Sequence, residues 1–163
     1  MKQNKSEFTI ARAFDAPRER IWKALTDPKE MGKWWGPKGA KIISSTMNLR
    51  PGGTYLYGMQ FEGREMWGKF VYQDIMEPEK IVFVNSFSDK HGGTTRHPMN
   101  ANWPLELLST FTLTEKEGKT TLTICWSLLP SATDTERKAF ESGHSSMKQG
   151  WTGTLDQLQA YLA

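Results

Sequence analysis

Ser145-Ser146-Met147-Lys148-Gln149-Gly150-Trp151-Thr152-Gly153-Thr154-Leu155-Asp156-Gln157-Leu158-Gln159-Ala160-Tyr161-Leu162 decides how the rest of the chain must fold. Its apolar residues Met147, Trp151, Leu155, Leu158 and Leu162 recur at spacings of four, four, three and four. That rhythm puts them on one stripe of an α-helix. At about 1.5 Å per residue the helix is about 27 Å long, enough to cross a whole sheet. Thr133-Asp134-Thr135-Glu136, upstream, has the pattern of a capping box. Gly143 lies between box and stripe, where it either kinks the helix or splits it.

What this helix covers is written upstream. Phe8 to Phe14 alternates apolar with polar or small residues, the period of a half-buried strand. Pro17 opens a helix carrying Ile21, Trp22 and Leu25, and Asp27-Pro28-Lys29-Glu30 opens a second. In that second start Asp27 caps, and Glu30 is placed to reach back to the cap N–H. The helix stops near Gly32 or Gly36. Strands are expected over 41–49, with Ile43 and Met47 inward, and over 54–61, with Tyr55, Tyr57, Met59 and Phe61 on one face. Further strands are expected over 64–75, 80–87, 105–113 and 119–128. Gly68, inside the first of these, signals a bulge or a close backbone approach. Tight turns between neighbours make the strands antiparallel. The expected order is β-α-α-β-β-β-β-β-β-α. This is an α+β fold: a curved antiparallel sheet of six to seven strands wrapped around a long C-terminal helix, with two short helices after the first strand. One domain over residues 1–163 accommodates it.

Composition narrows the function. The net charge is only +3, and the 21 basic residues are scattered without a run of five. No nucleic-acid footprint is expected. The single cysteine, Cys125, sits in an apolar run and reads as a core residue in a reducing compartment. The polar opening Met1–Glu7 has no apolar stretch of the kind a signal peptide needs, and no window is apolar enough to span a membrane. The expected location is cytoplasmic.

Four motifs occur in order: Ala16-Pro17-Arg18-Glu19-Arg20-Ile21-Trp22, Trp34-Trp35-Gly36-Pro37, Leu49-Arg50-Pro51-Gly52-Gly53, and Gly150-Trp151 with Leu155, Leu158 and Leu162. Together they resemble the activator-of-Hsp90-ATPase homologue 1-like family of the START-like, helix-grip (SRPBCC) superfamily, over nearly the whole chain. The resemblance implies a sheet gripping the terminal helix, with a cavity between them that holds lipids, polyketides or other apolar molecules. The co-chaperone that gives the family its name has an additional N-terminal domain. No room for one exists before Phe8, so a full Hsp90-stimulating role is not expected.

Candidate chemistry is weighed against packing. His91, His97 and His144 lack metal-ligand spacing, so no metal is expected and the histidines read as solvent-exposed. Gly143-His144-Ser145-Ser146-Met147 approaches a nucleophile elbow but lacks the final Gly and the preceding strand. Glu65 and Glu106 read as solvent-facing, so no catalytic residue is assigned, and no cofactor is expected. The cavity lining is expected to comprise Trp35, Tyr55, Tyr57, Met59 and Trp67, with Phe83, Phe111, Trp126, Met147 and Trp151. Ser88–Pro104 reads as a long gate loop carrying Arg96, His97 and Trp103. The leading expectation is non-catalytic binding of a small apolar or amphipathic ligand. A co-chaperone-like, stress-related partner domain with an exposed Trp34–Trp35 patch is the first alternative. A cyclase or hydrolase with an acid/base group in the cavity is the second. Leu107 and Leu108, beside the loop, read as the edge of a weak homodimer in an otherwise monomeric protein.

Overall fold

The computed structural model describes residues 6–163. Met1–Lys5, most of the opening stretch read as lacking a signal peptide, fall outside the described residues. The elements are β1 (Glu7–Phe14), α1 (Arg18–Thr26), α2 (Pro28–Trp34), β2 (Lys41–Met47), β3 (Thr54–Phe61) and β4 (Arg64–Met76). They continue with β5 (Lys80–Ser88), β6 (Thr94–Thr95), β7 (Leu107–Lys116), β8 (Lys119–Leu128), α3 (Asp134–Ser142) and α4 (His144–Leu162). One antiparallel sheet runs β1-β8-β7-β5-β4-β3-β2, and the two-residue β6 adds to β5.

Cross-strand register fixes the two faces, because directly opposed residues share a face. Tyr55 opposes Phe70, which opposes Asn85, which opposes Leu107. Tyr57 opposes Gly68, and Gly68 opposes Phe87. Phe83 faces Tyr72 and Ser109, and Ser109 faces Trp126. These residues form the inner face. α4 lies against it through Trp151, whose ring meets Trp35, Phe111 and Trp126 edge-on at centroid distances of 5.4, 6.1 and 5.6 Å. Leu155 and Leu158 are fully buried beneath the same helix. The stripe read from the sequence is therefore the side of α4 that covers the sheet.

Several local expectations change. The register break in β4 falls between Tyr72 and Asp74, not at Gly68. At Gly68 the strand stays in phase, and the glycine instead allows a close approach by Tyr57. A second break between Ile42 and Ser44 turns Ile43 outward, where it is 39% exposed, and leaves Ile42 and Met47 facing β3's inner residues. Glu30 does not close a capping box. Asp27 caps the Lys29 N–H, while Glu30 accepts from Arg20 and Tyr161 and so ties α2 to α1 and α4. Cys125 alternates with inward Ile124 and Trp126, so it lies half-buried on the outer face beside Glu7 and Thr9. β7 lies between β5 and β8, and Leu107 is buried, so Leu107 and Leu108 form no sheet edge. The helical C-terminal region splits at Gly143. A Cβ there would stand 2.9 Å from the Trp103 ring.

The capping box is present. Thr133 Oγ1 accepts from the Glu136 N–H at 3.1 Å, and Glu136 accepts from the Thr133 N–H at 2.9 Å.

Candidate functional site

Large side chains on the inner face do not meet α4 everywhere, and the gap forms three lobes that share walls. The innermost, of about 130 Å³, lies among Trp35, Tyr57, Phe70, Phe83, Phe87 and Trp126, with Asn85 as a polar group on the sheet side. A middle lobe of about 280 Å³ lies between Trp35, Tyr57 and Met59 on one side and Met147, Gly150 and Trp151 of α4 on the other. An outer lobe of about 710 Å³ opens between the 89–106 connection and the α3–α4 junction. Phe87 and Trp126 border all three lobes.

Trp35 is placed by the end of α2. Its neighbour Trp34 is buried, with the indole N–H donating to Ala24 O at 3.0 Å. That bond anchors the end of the helix and swings Trp35 over Tyr57 and Phe70 at centroid distances of 6.0 and 5.4 Å. The exposed Trp34–Trp35 patch expected of a partner-binding domain is therefore absent. One tryptophan is core, and the other is half-buried against the hollow.

Of the residues expected to line the cavity, Trp35, Tyr57, Met59, Phe83, Trp126, Met147 and Trp151 border a lobe. Tyr55 and Phe111 stand one layer back. Tyr55 stacks on Tyr57 at 5.2 Å, and Phe111 packs edge-on between Phe83 and Trp151. Trp67 lies on the wrong side. It opposes Gly58 on the outer face and donates to Glu65 at 2.7 Å. The pleat alternates strictly through 66–70, so Trp67 cannot share a face with Phe70. The signal for the missed wall residue Phe87 was available, since it alternates with Phe83 in one β-prone run.

The 89–106 connection is tied down at several points. Asp89 accepts from the N–H groups of His91 and Gly93, which holds its carboxyl below the usual range. Arg96 points away from the hollow to Glu136 at 2.5 Å, and the Leu105 N–H donates to the same carboxylate oxygen at 2.7 Å. Arg96 thus acts as a tether, not as a wall of the site. Burial by itself would raise the Glu136 carboxyl, but the N–H groups of Thr133 and Leu105 and the Arg96 guanidinium outweigh it and hold it to about 2. Trp103 packs on Phe140 at 6.0 Å and borders the inner and outer lobes. His97 is half-buried against Phe87 at 4.7 Å, and burial lowers its pKa. His144 packs edge-on between Phe8 and Phe140. Neither histidine is the solvent-exposed side chain that was expected; His91 is.

Electrostatically the hollow is nearly neutral. Among the described residues no Asp, Glu, Lys or Arg borders any of the three lobes, and His97 is the one imidazole that does. Tyr57, half-buried and stacked on Tyr55, has its phenol pushed up by burial, with the Trp35 indole pulling the other way. Among the described residues no three His, Cys, Asp or Glu side chains gather as a metal site would require. Among the same residues no helix is long and apolar enough to cross a membrane.

This architecture recurs in solved structures. Protein Ms6760 from Mycobacterium smegmatis is 26% identical, with 98% of this chain and 91% of that one covered and a TM-score of 0.77. A protein from Arthrobacter aurescens is 25% identical over 99% of this chain and 89% of that one, with a TM-score of 0.78. DynU16, from the dynemicin biosynthetic locus, shares the fold at 20% identity and a TM-score of 0.67, with 96% of this chain covering 47% of that one. No functionally curated protein matches the chain. The model of the family described as "Activator of Hsp90 ATPase homolog 1-like protein" matches residues 15–163. The motif order, the sheet gripping a terminal helix and this match agree: the chain belongs to the Activator of Hsp90 ATPase homolog 1-like family, within the helix-grip superfamily.

Proposed function

We propose that the protein binds a small ligand with an apolar body in the hollow between the sheet and α4, as one domain and without catalysing a reaction. The observation that carries this reading is a set of shared aromatic walls that leave adjoining space where a packed core would be solid. Protein interiors are ordinarily packed like organic crystals. A run of lobes lined by Trp35, Tyr57, Phe87 and Trp126 is the form a small-molecule site takes. Burial of apolar ligand surface there contributes about 25 cal/mol per Å² before the costs of association are met.

The lining argues against the enzyme reading. General acid–base work needs a titratable group within reach of the substrate; among the described residues neither inner lobe has a carboxylate, amine or imidazole on its wall, and the phenol of Tyr57, which borders both, is pushed by burial further from deprotonation. Burial of Trp34 takes away the feature that favoured a partner-docking surface.

The test is a titration with the uncharged apolar probe N-phenyl-1-naphthylamine. Tryptophan emission should be quenched as the probe seats between Trp35, Trp126 and Trp151. At a hundred times the dissociation constant, stability should rise by about 2.7 kcal/mol. Absence of both effects across this probe and a panel of lipids and aromatics would defeat the proposal.

A further inference from the structure

The outer lobe differs in kind from the two inside it. Its apolar part, Phe87 and Trp126 of the sheet with Trp103 of the connection, is wall that it shares with the innermost lobe. Its opposite side is polar, with His97, Asn100 and Asn102 from the connection and Ser142 and Ser146 from the helical junction. None of these five carries a fixed charge.

The bonds already made show what remains free. The Met99 N–H donates to His97 Nδ1 at 2.9 Å, so the neutral ring carries its proton on Nε2 as a donor. The Asn102 N–H donates to Asn100 Oδ1 at 3.1 Å, which leaves the Asn100 amide N–H groups available. Ser142 Oγ gives its proton to Lys138 O and Ala139 O at 2.9 and 3.2 Å, so it faces outward as an acceptor. Donors and acceptors are therefore mixed along one wall.

Charge is balanced as well. Arg96, next to His97 in the chain, is met by Glu136. The C-terminal carbonyls of α3 and the N-terminal amides of α4 come together at Gly143, so the two helix dipoles oppose one another there. Among the described residues none that borders the lobe carries a positive charge for a carboxylate or phosphate or a carboxylate for a cation; Arg64, which reaches Met99 Sδ at 3.0 Å, lines none of it.

We infer that the outer lobe is a head-group site for an uncharged, hydroxyl-bearing group, so that the ligand is a neutral amphiphile with its tail in the inner lobes. This rests on the binding reading above and adds the chemistry of the ligand's polar end. Hydroxyls donate and accept, which matches the mixed wall. A carboxylate, sulfate or phosphate only accepts, would leave Ser142 Oγ facing a lone pair, and would lose water without gaining a counter-charge.

The experiment compares ligands of one tail length: decyl glucoside, decanoate and decyl sulfate, each below its critical micelle concentration, with N-phenyl-1-naphthylamine as the headless reference. Calorimetric titration should rank decyl glucoside tighter than either anion by at least about fivefold, one net hydrogen bond's worth. The ring-preserving His97→Phe and the Asn102→Ala/Ser142→Ala double variant should each weaken decyl glucoside by about the same factor. Both variants should leave the reference probe unchanged, which also reports that they are folded. If the probe binds while either anion equals or outranks decyl glucoside, or while both variants hold the glucoside as tightly as the parent chain, the head-group inference is wrong and the hollow stands. If the probe itself does not bind, both readings fall.

Discussion

The phenol of Tyr57 lies across Gly68, its direct partner in β4, so closely that a methyl group on Gly68 would sit 2.6 Å from Cζ and 3.2 Å from Cε1 of the ring. One residue along, the pattern repeats on the other face, with the Trp67 ring 2.8 Å from where a Cβ of Gly58 would stand. Each glycine gives up a side chain so that an aromatic from the neighbouring strand can lie flat against the backbone. On the inner face this keeps Tyr57 low, and the space above it is the hollow.

Gly68→Ala should therefore act twice. The ring must tilt off the sheet, which costs about 1–3 kcal/mol as overpacking. It also rises into both inner lobes, which Tyr57 borders. Urea unfolding should report the first effect and weakened N-phenyl-1-naphthylamine binding the second. Pairing the change with Tyr57→Ala should recover part of the stability. Wild-type stability in Gly68→Ala would mean that Tyr57 does not lie against the strand.

Trp34 and Trp35 should separate by consequence. Trp34→Phe leaves Ala24 O without its indole donor in a buried setting and should cost about 1–3 kcal/mol. Trp35 borders the hollow, so Trp35→Phe should remove much of the ligand-dependent fluorescence change at a smaller cost in stability. Parallel urea and emission titrations decide the matter, and equal losses of stability would contradict the division.

Two glycines of α4 offer a control pair. A Cβ at Gly150 or Gly153 meets nothing within 4 Å, and both lie inside the helix. Gly153→Ala should stabilise by roughly 0.5–1 kcal/mol through the unfolded chain's lost freedom. Gly150 also borders the middle lobe, so Gly150→Leu should obstruct that lobe and weaken binding of the probe while the protein stays folded. Thermal melts and probe titrations of the two variants read the contrast. Undiminished binding by Gly150→Leu would remove the middle lobe from the site.

The sequence was most legible where structure is local. Period-two alternation marked Phe8–Phe14, and the box Thr133–Glu136 marked the start of α3. Both signals are contained within a few residues. The face of Trp67 was misread because Gly68 invited a bulge. The true break lies between Tyr72 and Asp74, and a one-residue slip inverts a strand's faces. Gly143 could be flagged but not resolved as kink or split, because the Trp103 ring beside it comes from forty residues upstream. The second role of Glu136 was hidden for the same reason. Its capping partner is three residues away, whereas Leu105 and Arg96 are 31 and 40 residues away.

That second role ties the stability of the fold to the charge of one carboxylate. The Glu136 side chain is 8% exposed and gathers two backbone N–H donors and Arg96 on one carboxylate. Its ordinary pKa of 4.5 falls to about 2 in the fold. A carboxyl whose folded pKa lies below its unfolded value adds stability that is fully present above the unfolded value. Here that stability should be whole above about pH 4.5 and should drain away as pH falls towards 2. Glu136→Gln keeps the shape but gives up the charge, and it should cost about 1–3 kcal/mol at neutral pH. The variant's stability should then depend less on pH across this acid window than the parent's. Because Arg96 and Leu105 anchor the connection through this carboxylate, limited proteolysis should also cut the variant faster between residues 89 and 106. Parallel acid slopes for variant and parent would show that Glu136 is not the group holding the connection against α3.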